Sequence, residues 1–186
     1  MQNERKSIGD VLLENRTILL VGEINQSSAA NVIAQLLYLE SDKTGVDINF
    51  YINSPGGSVD DTLAIVDTMN FISSPVHTIC IGKAMSGGSI LLAAGEKGHR
   101  YILPNALVMI HQPLSGIGGQ CSDIEIQTRQ LIKTKKGLIQ LMNDFTGQPL
   151  EKIEEDMERD HYLDAKMAVA YGIADKVIEK KDIKKK

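Results

Sequence analysis

The chain has 186 residues, 42% of them hydrophobic and none of them tryptophan, with a formal net charge of −4 and an isoelectric point near 5.6. Length and composition suit one soluble domain with a substantial core, and the acidic balance offers no overall field for nucleic acid. No apolar stretch reaches the roughly 20 residues that span a bilayer, and MQNERKSIGD at the start carries no apolar signal-peptide segment, so no membrane partner and a cytoplasmic location are expected.

Thr17–Gly22 (TILLVG) predicts a first strand. Asn25 to Ser28 offer capping side chains for an amphipathic helix over AANVIAQLLYLES. Asp47–Asn53 (DINFYIN) predicts a second strand, stopped by the turn sequence Ser54-Pro55-Gly56-Gly57. Ser58 to Ile72 predicts a second helix with Val59, Leu63, Val66 and Met69 inward, and PVHTICIG a third strand. A third helix is expected from about Ser86. HRYILP and ALVMIH are short and β-like on either side of Pro104-Asn105, and the glycine-rich Gln112–Gln120 is expected to be irregular. A long polar helix over roughly Ser122 to Phe145 carries Ile124, Leu131, Leu138 and Phe145 every seven residues, the spacing of a packed stripe. Another helix runs from about Leu150 to Met157, and Asp164 N-caps a short one ended by Gly172. Alternating strands and helices without an internal repeat or linker predict one α/β domain over residues 1–179. Residues 180–186, ending in three lysines, are expected to form a disordered charged tail.

The side-chain inventory narrows the chemistry. His77, His99, His111 and His161 form no HExxH, and Cys80 and Cys121 form no CxxC, so no metal site is expected. Cys80, inside VHTICIG, reads as a small buried hydrophobe. No GxxxxGK[ST] loop is present; any use of ATP must fall to a partner. AMSGGSILLAAGEKG is the most suggestive stretch, because Ser86 follows a strand and opens an apolar helix through Gly87 and Gly88. A serine there is either a helix cap or a nucleophile. His111 at the end of ALVMIH is placed to act as its base, and Asp160 in MERDHY as the carboxylate that orients the base. Gly56-Gly57 turns backbone amides outward after a strand, where they could serve as oxyanion donors. Ser54, Ser58 and Ser89 compete with Ser86 on chemistry alone, and Asp160 equally fits a solvated acidic face.

Taken together, YINSPGGSV, TICIGKAMSGGSILLAAGEKGHRYILPNALVMIHQPLSG, GQCSDIEI and ERDHYLDAKMAVAYGIADKVI resemble the family of Clp protease proteolytic subunits (ClpP), from about Glu4 to Ile178 and in the same order. The resemblance implies a crotonase-like α/β fold of repeated β-β-α units with a protruding handle, here about residues 112–145. It matches Ser86 to the family's nucleophile, His111 to the general base, Asp160 to the orienting acid, and the Gly57 and Gly87 amides to the oxyanion hole. Gly87 stands where the family usually carries a larger residue: AMSGG here, AASMG there. Glu158 and Arg159 match an assembly-linked charged pair, and Tyr51 and Phe71 match positions where a partner docks. The family implies two stacked heptameric rings that cleave unfolded polypeptide fed by a hexameric AAA+ ATPase; no cofactor is bound by the chain itself, and ATP is used by the partner. A mixed ring with a paralogue, in which this chain is a weakly active or structural member, is the alternative. An acyl-CoA enzyme on the same fold is a third reading.

Overall fold

A computed structural model describes residues 6–179; the tail expected over residues 180–186 lies outside the described residues. Five strands lie parallel, in the order β1 (Thr17–Val21), β2 (Ile48–Ser54), β3 (Val76–Met85), β4 (Arg100–Ile102) and β7 (Lys176–Val177). β3 forks. Its first half, Thr78–Cys80, pairs with β4, and its second, Lys83–Met85, pairs with β5 (Leu107–Ile110). β6 (His161–Leu163) then adds to β5 in the antiparallel sense.

The helices follow from local chemistry. Ser7 and Asp10 form a capping box on α1 (Ile8–Glu14). Asn25 Oδ1 accepts from the Ser27 and Ser28 amides to start α2 (Gln26–Asp42), and Ser58 caps α3 (Val59–Phe71). α2 buries Ala29, Val32, Leu36 and Leu39 along one stripe. α3 buries Thr62, Ile65, Val66 and Met69, while Val59 and Leu63 are only partly covered. The inward face of α3 is therefore turned slightly from the expected one, and it carries a threonine hydroxyl that a purely apolar pattern overlooks. α4 (Gly87–Ala93) is buried on every side.

The core lies between these helices and one sheet face, where Ile18, Leu20, Ile48, Phe50 and Ile52 alternate inward along β1 and β2. Burying a side chain such as Phe50 contributes about 1.5–3 kcal/mol. The opposite face leaves Leu19 and Val21 exposed and Tyr51 half-buried.

Two buried arginines fasten the frame. Arg16 donates to the carbonyls of Leu39, Val46 and Asp47, joining the ends of α1 and α2 to the approach to β2. Arg100 donates to Asp175 and to the carbonyls of Ala93 and Phe145. It thereby ties β4 to the end of α4 and to the end of the long helix α5 (Cys121–Thr146).

Only the second half of α5 packs on the domain: Leu138, Ile139 and Met142 are buried, whereas Ile124, Ile126 and Ile132 are exposed. The seven-residue stripe is thus a core contact at Leu138 and Phe145 and an open apolar surface at Ile124. The helix stops at Gly147, which takes a left-handed conformation. α6 (Leu150–Asp156) and α7 (Ala165–Tyr171) complete the chain, the latter capped by Asp164 and ended by Gly172. β3 continues past Gly82, where the apolar run breaks, because the backbone of Lys83–Met85 pairs with β5 whatever side chains it carries. Among the described residues no helix is long and apolar enough to cross a membrane.

Candidate active site

The fork in β3 sets up the site, since the strand leads straight into Ser86. This residue has φ 52° and ψ −122°, a conformation that costs of order 1–3 kcal/mol in a non-glycine residue. Its amide donates to the carbonyl of Met109 at 2.8 Å, which pins the turn to β5. Although Ser86 sits at the cap position of α4, its hydroxyl makes no capping hydrogen bond. Instead Oγ lies 2.9 Å from His111 Nε2. The other serines have structural partners. Ser89, buried, donates to the Ser86 carbonyl at 2.6 Å; Ser54 Oγ accepts from the Gly56 amide; Ser58 Oγ caps α3.

His111 follows β5 directly, and Asp160 directly precedes β6. In the antiparallel register Ile110 faces His161, so the next pair outward along the ladder is His111 and Asp160. Backbone pairing alone sets the two side by side, and His111 Nδ1 lies 3.1 Å from Asp160 Oδ1. A carboxylate only accepts, so Nδ1 carries the proton and Nε2 is left as acceptor for the Ser86 hydroxyl. The His111 side chain is 15% exposed and that of Asp160 is 56%. Gln112 holds the strand end: its amide donates to the Met157 carbonyl and its Nε2 to the Glu158 carbonyl.

The turn at Pro55-Gly56-Gly57 closes over the same point. Ile24 donates to the Gly56 carbonyl at 2.8 Å and accepts from the Ser58 amide at 2.9 Å, so Gly57 is held at both sides. A Cβ on Gly57 would lie 2.0 Å from the Ile24 oxygen, and one on Gly56 2.7 Å from Ser86 Cβ. Only glycine permits this approach. The Gly57 amide has no acceptor among the described residues, nor has that of Gly87, which opens α4. Pro55, Gly57, Val59, Ser86, His111 and Pro113 line an open cleft of about 230 Å³. A hydroxyl, a base, an orienting carboxylate and free amides around one cleft are the parts that acyl transfer needs.

The other singled-out residues lie elsewhere. Glu158 binds Lys135 of α5 at 3.0 Å, and the hydrogen bond from Lys135 holds its carboxyl below the ordinary range; Arg159 is exposed. Tyr51 stands half-buried on the open sheet face, and Phe71, ending α3, is 83% exposed and so no part of the core. His77 stacks on His99 with centroids 4.2 Å apart; burial first, and His99 second, hold His77 below its usual pKa. Cys80 is fully buried, which pushes its thiol up to about 12, so it remains a neutral core side chain. Among the described residues no group of three or more His, Cys, Asp or Glu side chains could hold a metal ion. Sequence reasoning missed Thr62, a buried hydroxyl beside Gly87, for which only its spacing on α3 gave a signal. The family model described as Clp protease matches residues 1–181 of the chain.

Proposed function

The chain belongs to the Clp protease family, a family of oligomeric proteolytic chambers that work with an ATPase partner, and on that premise we propose that it is a serine endopeptidase subunit with Ser86 as nucleophile. The observation that carries this reading is the continuous relay from Ser86 Oγ through His111 to Asp160, at 2.9 and 3.1 Å. Ser86 Oγ attacks the peptide carbonyl as His111 Nε2 takes its proton. The developing oxyanion accepts hydrogen bonds from the Gly57 and Gly87 amides, each such donor contributing about 10²–10³ in rate. Collapse expels the amine, which receives the proton from Nε2, and leaves an ester on Ser86. Water then attacks the ester by the same route, releasing the acid product and restoring the hydroxyl. Asp160 holds the imidazole in the tautomer this needs and stabilises its positive charge.

The exposed apolar half of α5 supports its role as a handle that meets another ring, in an assembly of two stacked heptamers, homomeric or mixed. The open sheet face around Tyr51 and the exposed Phe71 at the end of α3 support docking of a hexameric AAA+ ATPase that delivers unfolded polypeptide. The ATPase consumes the ATP, and this chain needs no cofactor of its own.

The test is hydrolysis of a short fluorogenic peptide by the purified chain, with assembly size measured on the same sample. Hydrolysis should fall by about a millionfold in Ser86→Ala with assembly unchanged, and a fluorophosphonate should label Ser86. Labelling at Ser89 instead would refute the assignment. A folded, silent chain would point to a structural member of a mixed ring.

A further inference from the structure

Gly87 is buried, and the space its missing side chain would take is already filled. A Cβ at residue 87 would lie 2.4 Å from Thr62 Oγ1, 3.3 Å from Thr62 Cγ2 and 3.2 Å from Ile24 Cδ1. Thr62 is 1% exposed and cannot simply turn away. Its Oγ1 donates to the Ser58 carbonyl one helical turn back at 2.8 Å, and a β-branched side chain in a helix has few rotamers. Residues 62 and 87 therefore form a size-matched pair, large against absent, beside the hydroxyl of Ser86.

The pair borders an inner cavity, walled by Thr62, Gly87, Ser89, Ile90, Met142 and Met157, whose volume is about 20 Å³. That is room for about one water-sized group. The inner cavity shares its rim, at Gly57, Val59, Ser86, His111 and Pro113, with the open cleft of about 230 Å³. For a peptide with its backbone in the open cleft and its carbonyl at Ser86, the inner cavity is the space beside the side chain on the acyl side, reached across that shared rim.

We propose that Thr62 is a specificity-determining residue: it restricts the side chain on the acyl side of the scissile bond to a small one, alanine or serine, and disfavours leucine and phenylalanine. The proposal rests on Ser86 being the nucleophile. A mostly apolar wall accepts a methyl group readily, and the Thr62 side chain stands where the branches of a leucine would go. Removing one or two heavy atoms from such a wall changes discrimination about tenfold or more.

The experiment compares the rates at which two peptidyl phosphonate esters modify Ser86, with the site located by mass spectrometry. The esters are identical except for a methyl or an isobutyl side chain at the position bonded to the reactive phosphorus. The wild-type chain should react at least about tenfold faster with the methyl ester. In Thr62→Ala the ratio should fall about tenfold, through a gain on the isobutyl ester rather than a loss on the methyl one. A merely destabilised site would lose rate on both. Gly87→Ala should slow the methyl ester sharply, and Thr62→Ala added to it should restore the rate, since the two changes occupy one space. Should Thr62→Ala fail to fold, Thr62→Ser keeps the hydrogen bond to Ser58, removes only the methyl group, and should move the ratio the same way by less. Equal wild-type rates on the two esters, with Ser86 still labelled by a small fluorophosphonate, overturn this proposal alone. No labelling of Ser86 by any of the three reagents overturns the nucleophile assignment as well.

Discussion

Asp175 and Asp160 are both aspartates held by a basic side chain, and they serve opposite ends. Asp175 is saturated: it accepts from the Gly98 and Arg100 amides and from Nε and Nη2 of Arg100, at 2.6–2.9 Å, with its side chain 22% exposed. Among the described residues Asp160 accepts a single side-chain hydrogen bond, from His111 at 3.1 Å, and is 56% exposed. A network with every acceptor filled fixes one geometry and has little to gain from a change of charge. A carboxylate with one partner can tighten its bond as that partner becomes cationic. The first fastens the frame, and the second keeps room to respond to a change of charge on its partner.

That contrast breaks first at Asp160. Asp160→Asn should lower peptide hydrolysis about 10⁴-fold, because an amide that donates toward Nδ1 favours the wrong tautomer. Its thermal unfolding should stay close to wild type, and a large loss of stability would make Asp160 a structural residue instead. Arg100→Ala should do the reverse. Removing the guanidinium leaves Asp175 with only the two backbone amides of residues 98 and 100 and no countercharge, and takes from the carbonyls of Ala93 and Phe145 their Arg100 donor, at a cost of about 3–5 kcal/mol by denaturant unfolding, while the folded fraction keeps its reactivity toward a fluorophosphonate.

Acid sharpens the comparison further. Burial works against the charge on Asp175, but the hydrogen bonds and charge of Arg100 outweigh it and hold the carboxyl below its ordinary value. The depressed value means that this stabilisation is fully present above the unfolded carboxyl's pKa of about 3.9 and is lost as pH falls through the folded value. Asp175→Asn should therefore be less stable than wild type at neutral pH and converge with it in acid; parallel denaturation profiles across that range would remove Asp175 from the account. Glu158→Gln should have the smallest effect, since its bond to Lys135 is at the surface. Thermal unfolding of the isolated chain should not move measurably.

The reach of the sequence differs between the same two places. The strand leading to Ser86 and the glycine turn before Ser58 were legible from composition and spacing, and so was the position of His111 at a strand end. Asp160 was legible only as one of two readings. Among EEDMERD it is one acidic residue of several, and β6, three residues long, is too short to display a period; the residues offered it equally as the orienting carboxylate and as part of a solvated face, and the resemblance chose between them. Arg16, Arg100 and Asp175 left no mark either, since a buried polar residue has the same letter as an exposed one and its partners lie up to 75 positions away. The long helix was clear, but what covers its first half was not, because heptad spacing looks alike for a core contact and for a surface awaiting a neighbour.

The pairing of β5 with β6 bears on how the chain can be counted after refolding. A slip of one position along that ladder would turn Asp160 to the other side of the sheet, and secondary-structure content would barely register it. Restored hydrolysis counts only molecules whose strands have met in step, while circular dichroism counts both kinds. The gap between the two recoveries, measured on one refolded sample with its assembly intact, sets an upper limit on the fraction that folded with the strands out of step.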